Sequence, residues 1–280
     1  MSAVRPAPIQ ELAFLVTMKI RQWDARKHDK TVSNEVDKAH NAKGGGRYNK
    51  LLVAKEALDP ISQIEGAARQ YLYKMTHAWG DNGERLLPGA LSLDFGQNIT
   101  VFRNEFNSRV RVFVDQYPAL KQEARVRLGS MYDPQDYPAD IRSKFAFPPL
   151  GYNAIADADD FRVKLNADYM EDIKSRIRER TEELQSDALK QCWERVRKVV
   201  TKITELGAKD TKVFDSVMDN ARELVDLLPA LNLNGNPELI VISDEIRAIL
   251  VPPDRLRQDK RLKADTAAKA DAILAKLPWA

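Results

Sequence analysis

The spacing of apolar residues changes along the chain, and each spacing predicts a type of secondary structure. Residues 12–21 alternate between an apolar face and a second face that turns basic at Lys19 and Arg21. This period of two residues predicts a strand with one buried side. Its apolar face would consist of Leu12, Phe14, Val16, Met18 and Ile20. Two further short strands are predicted at 145–147 and 161–165.

A short helix is expected over 32–41, because Thr31 and Ser33 are good capping residues and apolar positions recur at helical spacing behind them. Its inner face would consist of Val32, Val36 and Ala39. The run Gly44–Gly46 is expected to end this helix.

Longer helices are predicted further along the chain. Asp59-Pro60 is a favourable helix start, and apolar residues then repeat at helical spacing as far as Trp79. The stretch WGDNGERLLP (79–88) is predicted as a loop from its Gly, Asp and Asn content. Pro118 is expected to break the next helix, and Gly129 to close its continuation. The remaining helices are expected at 95–117, 119–128, 212–228, 237–250 and 261–277.

The clearest predicted element is a helix of about 40 residues over 167–206, which would be ~60 Å long. Its apolar residues recur close to a heptad spacing, as in a coiled coil. The stripe can pack within one chain or form the seam of a homo-oligomer; we favour the oligomer but the sequence does not separate the two. The seam would include Met170, Ile173, Ile177, Leu184, Val196 and Ile203.

These elements predict a mainly α protein with a small β element near the N-terminus, built as a helical bundle around one long helix. Three segments are expected: a basic N-terminal α+β domain over 1–130, a loop-rich connector over 131–165, and a helical C-terminal domain over 166–280. The connector is predicted from four prolines, at positions 134, 138, 148 and 149, and from the acidic DADD of 157–160.

Charge is unevenly distributed along the 280 residues, which contain 44 Lys and Arg against 41 Asp and Glu. Residues 1–150 contain 22 basic and 17 acidic residues, a net +5, whereas 151–280 contain 22 and 24, a net −2. A mildly basic N-terminal half is compatible with a polyanionic partner without requiring one. The single cysteine favours a reducing compartment. Since neither a span of ~18 apolar residues nor a signal-peptide pattern is present, we expect a cytoplasmic protein.

The stretch HNAKGGGRYNK (40–50) raises the question of a phosphate cradle. A P-loop needs G-x-x-x-x-G-K-[ST], and a dinucleotide fingerprint needs G-x-G-x-x-G. The three consecutive glycines fit neither pattern, because Asn49 stands where the last glycine of the fingerprint would be and no Ser or Thr follows Lys50. A loop is therefore the preferred interpretation.

No catalytic or metal-binding motif is evident. His28, His40 and His77 are too far apart in sequence to share a helix face, and DADD does not follow a calcium-loop pattern. Cys192 lies on the apolar stripe of the long helix, which favours a buried structural thiol over a nucleophile. We expect a non-enzymatic protein without a cofactor or metal, although a site assembled from scattered residues stays open.

The segment 19–50 combines basic and aromatic residues, a combination that suits single-stranded nucleic acid. The alternative is a solvated basic loop, which the interspersed Asp24, Asp29, Glu35 and Asp37 favour. If nucleic acid binds, phosphates would contact Arg26, Lys27, Lys30, Lys43, Arg47 and Lys50. Bases would stack on Trp23, Tyr48 and Trp79.

Five stretches stand out as a set: IRQWDARKHDKTVSNEV (20–36), GRYNKLL (46–52), WGDNGERLLP (79–88), DADDFRV (157–163) and ELVDLLPALNL (223–233). Together they resemble a phage and prophage family of unknown function, whose members are often encoded near a MoxR-type AAA+ ATPase and a von Willebrand A-type protein. The resemblance implies a host-cytoplasmic, viral setting, and it transfers no site residues; a AAA+ ATPase stays open as a partner. It would make 23–27 and 46–50 the natural places for a common functional surface.

Two functional hypotheses follow. The leading one is an oligomeric phage-type protein that binds nucleic acid, in particular single-stranded DNA, through its basic N-terminal region. The alternative is an adaptor or scaffold, for example for a AAA+ ATPase, that assembles through the long helix.

Overall fold

A computed structural model describes residues 8–160, 167–208 and 212–278. It confirms a mainly helical protein with small antiparallel sheets, and the strand predicted at 161–165 lies outside the described residues. The helices are α1 (Ile9–Leu12), α2 (Lys30–Ala39), α3 (Asp59–Met75), α4 (Ser92–Leu128), α5 (Ala167–Thr204), α6 (Asp215–Leu231), α7 (Pro237–Ile249), α8 (Pro253–Gln258) and α9 (Lys260–Leu274). The strands are β1 (Ala13–Thr17), β2 (Arg26–His28), β3 (Asn49–Leu51), β4 (His77–Ala78), β5 (Arg85–Pro88) and β6 (Gly151–Asn153).

The chain forms two compact units that interleave along the sequence. Unit 1 comprises residues 1–17, 73–93 and 152–280, and unit 2 comprises 18–72 and 94–151. The division falls within α3 and α4, so it does not coincide with the predicted boundaries at 130 and 165.

The long helix α5 confirms the predicted element at 167–206, but its stripe is used within the chain along most of its length. Val196 and Ile203 are fully buried in a core that α5 shares with α6, α7 and α9. Leu184 packs against a second core cluster that contains Trp79 and Leu86. These three residues therefore belong to the core of a single chain and not to an exposed oligomer seam. The reason is that the apolar faces of neighbouring helices in one chain pack against each other and leave no apolar surface there for a second chain.

The sheet of unit 1 has the strand order β4-β5-β1-β6, and β1 pairs antiparallel with β5 from Ala13 opposite Pro88 to Val16 opposite Arg85. The predicted strand at 12–21 is thus shorter. Val16 of its predicted apolar face is fully buried and Phe14 is partly buried, but Ala13 and Leu15 of the other face are buried as well. The segment RLLP, predicted as part of a loop, is strand β5. It forms a hairpin with β4, which occupies 77–78 where α3 was expected to continue.

Unit 2 is organised around the parts of α3 and α4 that belong to it and a cluster of aromatic side chains. Trp23 packs edge-on against Phe113 and Tyr117, with ring centroids 6.3 and 5.9 Å apart. Pro118 lies inside a continuous α4 rather than breaking it. Proline has no N–H group, so the carbonyl four residues earlier loses its helical hydrogen bond. Because the Pro118 ring is exposed, that carbonyl lies on the solvent side of the helix. Gly129 ends α4 with φ of +54°, as the sequence predicts.

The short helix α2 differs from its prediction in cap and face. Asp29, not Thr31 or Ser33, is the N-cap, and its carboxylate accepts from the Val32 amide at 3.1 Å. Val36 is 50% exposed and Ala39 is exposed, so the expected inner face is not buried. In place of a strand at 145–147 there is one bridge between Ala146 and Arg21.

Candidate nucleic-acid interface

The two basic stretches that flank the glycine run meet in a two-stranded antiparallel ribbon. Strand β2 pairs with β3 so that Arg26 faces Leu51 and Lys27 faces Lys50. The pairing continues one step further, because the Asp29 amide donates to the Tyr48 carbonyl at 2.9 Å. Residues 26–51, which we call the ribbon module, thus bring together side chains that lie about twenty positions apart in the sequence.

Helix α2 is tied to this ribbon through Ser33. The Ser33 hydroxyl donates to the Asp29 carbonyl at 2.6 Å and accepts from the Tyr48 amide at 3.0 Å. His28 lies 3.2 Å from the same hydroxyl through its Nε2. One serine therefore links the start of α2 to both strands, which fixes the basic residues of α2 relative to those of the ribbon.

The backbone amides of the glycine run are hydrogen-bonded to a carboxylate of the same chain. The amides of Gly44 and Gly45 donate to the two oxygens of Asp37 at 2.8 and 3.1 Å. Asn41 and Gly44 have φ of +51° and +66°, which turn the backbone back towards α2. Successive amides of this kind form a nest for an anion, and here Asp37 fills it. The run is therefore an internally closed loop and not an open phosphate cradle.

Lys50 was predicted to contact phosphate, but it is buried and fully engaged. Its ammonium lies 2.8 Å from Asp136 and 3.5 Å from Asp29, and it donates to the Met131 carbonyl at 2.6 Å. Burial lowers the pKa of Lys50, but hydrogen bonding to Asp136 and the charges of Asp136 and Asp29 outweigh burial and raise it above its ordinary value. The hydrogen bond from the Val32 amide, helped by the charge of Lys50, holds the pKa of Asp29 below its ordinary value although burial opposes it. Lys50 is a structural cation of unit 2.

The other predicted phosphate contacts lie at the surface. Lys27 is 55% exposed and pairs with Asp136 at 3.6 Å. The four remaining side chains are exposed, and none forms an ion pair with any residue that the structure describes; they are Arg26, Lys30, Lys43 and Arg47. Such cations keep their full charge available to an external anion.

Of the three predicted stacking residues, only Tyr48 is at the surface, with 40% of its side chain exposed. Trp23 is 8% exposed within the aromatic cluster of unit 2, and Trp79 is 6% exposed within the core of unit 1. The prediction that the two tryptophans stack on bases is wrong, because burying a large aromatic ring in the core is more favourable than exposing it to water.

A buried cluster in unit 1 joins His77 and Cys192, which no sequence pattern connects. His77 Nε2 donates to the Leu231 carbonyl at 3.0 Å, and Cys192 Sγ lies 3.9 Å from that nitrogen. Burial and the charges of Arg195 and Arg85 lower the pKa of His77 to about 4, although the bond to Leu231 opposes them. Burial raises the pKa of the Cys192 thiol to about 11, against the opposing charge of Arg195.

Both groups of this histidine–cysteine pair are therefore neutral at pH 7, and neither reaches solvent. A nucleophilic thiol needs the opposite arrangement, a thiolate beside an imidazolium at an accessible position. The burial of Cys192 predicted from its place on the apolar stripe is confirmed. The contact with His77 was missed, because the two residues are 115 positions apart and only the β4–β5 hairpin brings His77 to α5.

Within residues 8–160, 167–208 and 212–278, no three His, Cys, Asp or Glu side chains are grouped so as to hold a metal ion. Among the described helices, none combines the length and the apolar character that crossing a membrane requires.

Comparison with known proteins gives no relative from which a role could be transferred. No protein-family model matches the chain, and neither a curated protein nor a solved structure is significantly similar to it. The assignment of a function therefore depends on the geometry and charge of the ribbon module.

Proposed function

We propose that unit 2 binds single-stranded nucleic acid, in particular single-stranded DNA, through the exposed side of the ribbon module. The observation that carries this proposal is a group of four exposed cations that form no ion pair with a described residue and that the β2–β3 pairing and Ser33 hold on one short module: Arg26, Lys30, Lys43 and Arg47. Elsewhere many exposed arginines are neutralised locally; Arg257, for example, pairs with Asp215 and Asp254.

The charge of the two units supports the same site. Unit 2 contains 19 basic and 14 acidic residues, a net +5, and unit 1 contains 25 basic and 27 acidic residues, a net −2. The positive excess thus belongs to the compact unit that contains the ribbon module. A net positive unit attracts a polyanion at a distance, and exposed side chains then hold it at close range.

The chemistry of the site favours binding that is independent of sequence. Arginine and lysine contact phosphates, whereas Tyr48 offers one aromatic face to an unpaired base, a contact worth about 1–3 kcal/mol. Tyr48 is the one exposed Phe, Tyr or Trp side chain among residues 26–51, all of which the structure describes. We therefore expect binding dominated by charge, with a preference for unpaired strands that corresponds to the one stacking contact of Tyr48.

The test is a salt titration of affinity for a fluorescently labelled oligothymidylate, measured by anisotropy. Four phosphate contacts predict that log K falls with log salt concentration with a slope of about −3. The triple variant Lys30→Gln/Lys43→Gln/Arg47→Gln should reduce that slope to about −1, because each contact contributes about −0.7.

The matched control is Arg255→Gln/Lys260→Gln/Arg261→Gln, which removes the same charge from exposed positions of unit 1 that form no ion pair with a described residue. It should retain the wild-type slope. Absence of binding at low salt, or an equal loss in both triple variants, would show that the ribbon module is an ordinary solvated surface.

A second proposal concerns self-association, because the N-terminal half of α5 is less deeply packed than the rest. Met170, Ile173 and Ile177 are only partly buried, and Tyr169 is 58% exposed. We propose that these residues contact a second copy of the chain, which would make the protein an interaction scaffold. Light scattering after size exclusion should show a multiple of 31.7 kDa for the wild type and a lower mass for Ile173→Asp/Ile177→Asp. A monomeric wild type at micromolar concentration would exclude this interface.

A further inference from the structure

Unit 1 contains a cavity of about 490 Å³ between α5, α6 and the chain at Tyr73 and Lys74. Its basic residues come mainly from α5, and its apolar residues come mainly from α6, which also contributes Ser216, Asn220 and Glu223. This division is the usual one for a site that binds an amphipathic molecule. We call these two parts of the lining the cationic side and the apolar side.

The cationic side is built mainly by one face of α5. Arg195, Lys198 and Lys202 line the cavity, and their spacing of three and four residues places them on the same side of the helix. Lys202 pairs with Glu205, whereas Lys198 is exposed and forms no ion pair with a described residue. Lys74 completes this side and pairs with Glu223, the one acidic residue of the described lining. The lining thus carries four basic groups and one acidic group.

Arg195 is held rigidly and without a carboxylate partner among the described residues. Its guanidinium donates to the carbonyls of Tyr73 and Lys74, both at 2.9 Å, and also to that of Thr76. Arg85 donates to the same Thr76 carbonyl at 3.2 Å and lies 4.7 Å from the centre of the Tyr73 ring. Burial, together with the charge of Arg195, lowers the pKa of Arg85 to about 10.

Two guanidinium groups that share one acceptor repel each other, and carbonyl oxygens supply only partial negative charge. A bound anion near Arg195 would supply the counter-charge that the described residues do not provide. The geometry therefore favours occupation by an anionic group at the Tyr73–Arg195 end of the cavity.

The opposite side is formed by α6. Leu224 is buried, and Val217 and Leu227 are partly buried against the core of the bundle. Val199 of α5 joins them from the other helix. Asn220 also lines the cavity, is exposed, and makes no side-chain hydrogen bond with a described residue. This side offers an apolar surface on which an alkyl chain can be buried.

We propose that the cavity binds a single-chain amphipathic anion, with its head group at Arg195 and Lys198 and its alkyl chain along Val217, Leu224 and Leu227. One water molecule takes up roughly 30 Å³ in the liquid, and on that scale the cavity of about 490 Å³ holds on the order of 15 heavy atoms. A twelve-carbon carboxylate has about that size. This site is distinct from the ribbon module, which belongs to unit 2.

The test uses dodecanoate below its micellar concentration, titrated into the full chain by calorimetry, with dodecyltrimethylammonium as the ligand of opposite charge. We expect dodecanoate to bind at least about tenfold more tightly than the cationic amphiphile. Lys198→Glu should weaken dodecanoate about tenfold, whereas Lys260→Glu, an exposed position outside the cavity lining, should not.

A second pair of variants tests the volume of the cavity without removing a core residue. Asn220→Trp places a large ring in the cavity from an exposed helix position and should abolish binding, whereas Ile240→Trp, at an exposed position of α7, should not. Circular dichroism checks that the two tryptophan variants fold. If Asn220→Trp does not fold, the comparison of Lys198→Glu with Lys260→Glu decides the matter. The proposal is overturned if dodecanoate does not bind, if both amphiphiles bind equally, or if Lys198→Glu behaves as its control.

Discussion

His77 should make the stability of the protein depend on pH between about 4 and 6.5. The folded chain keeps its imidazole neutral, because the ring is fully buried beside Arg195 and Arg85. Its Nε2 hydrogen is used by the Leu231 carbonyl, and Nδ1 has no hydrogen-bond partner in the described structure. Protonation would thus add a buried charge and a buried N–H group without an acceptor.

The sign follows from the two states. Above pH 6.5 the imidazole is neutral in both the folded and the unfolded chain, so it does not affect the free energy of unfolding. As the pH falls from 6.5 towards 4, the unfolded chain binds a proton that the folded chain does not, and stability is lost. The difference between 6.5 and about 4 corresponds to a total of about 3 kcal/mol, and about 2 kcal/mol of it should be lost by pH 5.

Urea denaturation at pH 7, 6 and 5 measures this loss. The variant His77→Gln keeps an amide that can donate to Leu231 but does not titrate, so its stability should change about 2 kcal/mol less than that of the wild type over this range. His40→Gln removes an exposed histidine and should retain the wild-type pH dependence. If wild type and His77→Gln lose stability in parallel, or if NMR titration gives His77 a pKa near 6.5, the reasoning about this cluster is wrong.

Three further outcomes are expected. Lys50→Ala should lower the free energy of unfolding by about 2 kcal/mol in urea titrations, somewhat less than the roughly 3–5 kcal/mol typical of breaking a fully buried ion pair. Lys27→Ala should change it by less than about 0.5 kcal/mol, because the Lys27 side chain is 55% exposed. Asp37→Ala should leave global stability within about 1 kcal/mol and accelerate hydrogen exchange of the two glycine amides that its carboxylate accepts from; unchanged exchange would contradict the closed loop. Because the pKa of the Cys192 thiol is about 11, it should react with a disulfide reagent at pH 8 far more slowly in the native chain than in urea, and equal rates would show that it is accessible.

Sequence periodicity predicted secondary structure most reliably for long helices, whose formation depends mainly on residues within the helix itself. The predicted 167–206 and 237–250 correspond closely to α5 and α7, because apolar spacing over three or more turns has few alternative explanations. The RLLP segment failed for the opposite reason. Four residues have no resolvable period, and the strand exists because β1, some seventy residues earlier, pairs with it.

The candidate site was predictable in part. The basic residues of 26–47 could be identified from composition. Whether each one is exposed or buried in an ion pair depends on carboxylates that only the fold brings near. Lys50 meets Asp136 across 86 positions and becomes buried, whereas Arg47, three positions earlier, stays exposed. The tryptophans were misassigned because a charged sequence neighbourhood says little about burial. A large ring in a region with many apolar residues most often belongs to the core.

The structure of the glycine run narrows the kind of binding that the ribbon module can provide. Had the amides of Gly44 and Gly45 been free, they would form a directional anion site, and recognition of a particular phosphate group would follow. Asp37 already satisfies them, so a phosphate would have to displace a carboxylate held within the same chain. What the module offers to an external strand is then the charge of flexible, exposed side chains. Such contacts are strong at low salt and carry no sequence information. It follows that, if the ribbon module binds nucleic acid, oligothymidylate and a mixed-sequence single strand of equal length should bind with similar affinity and parallel salt dependence.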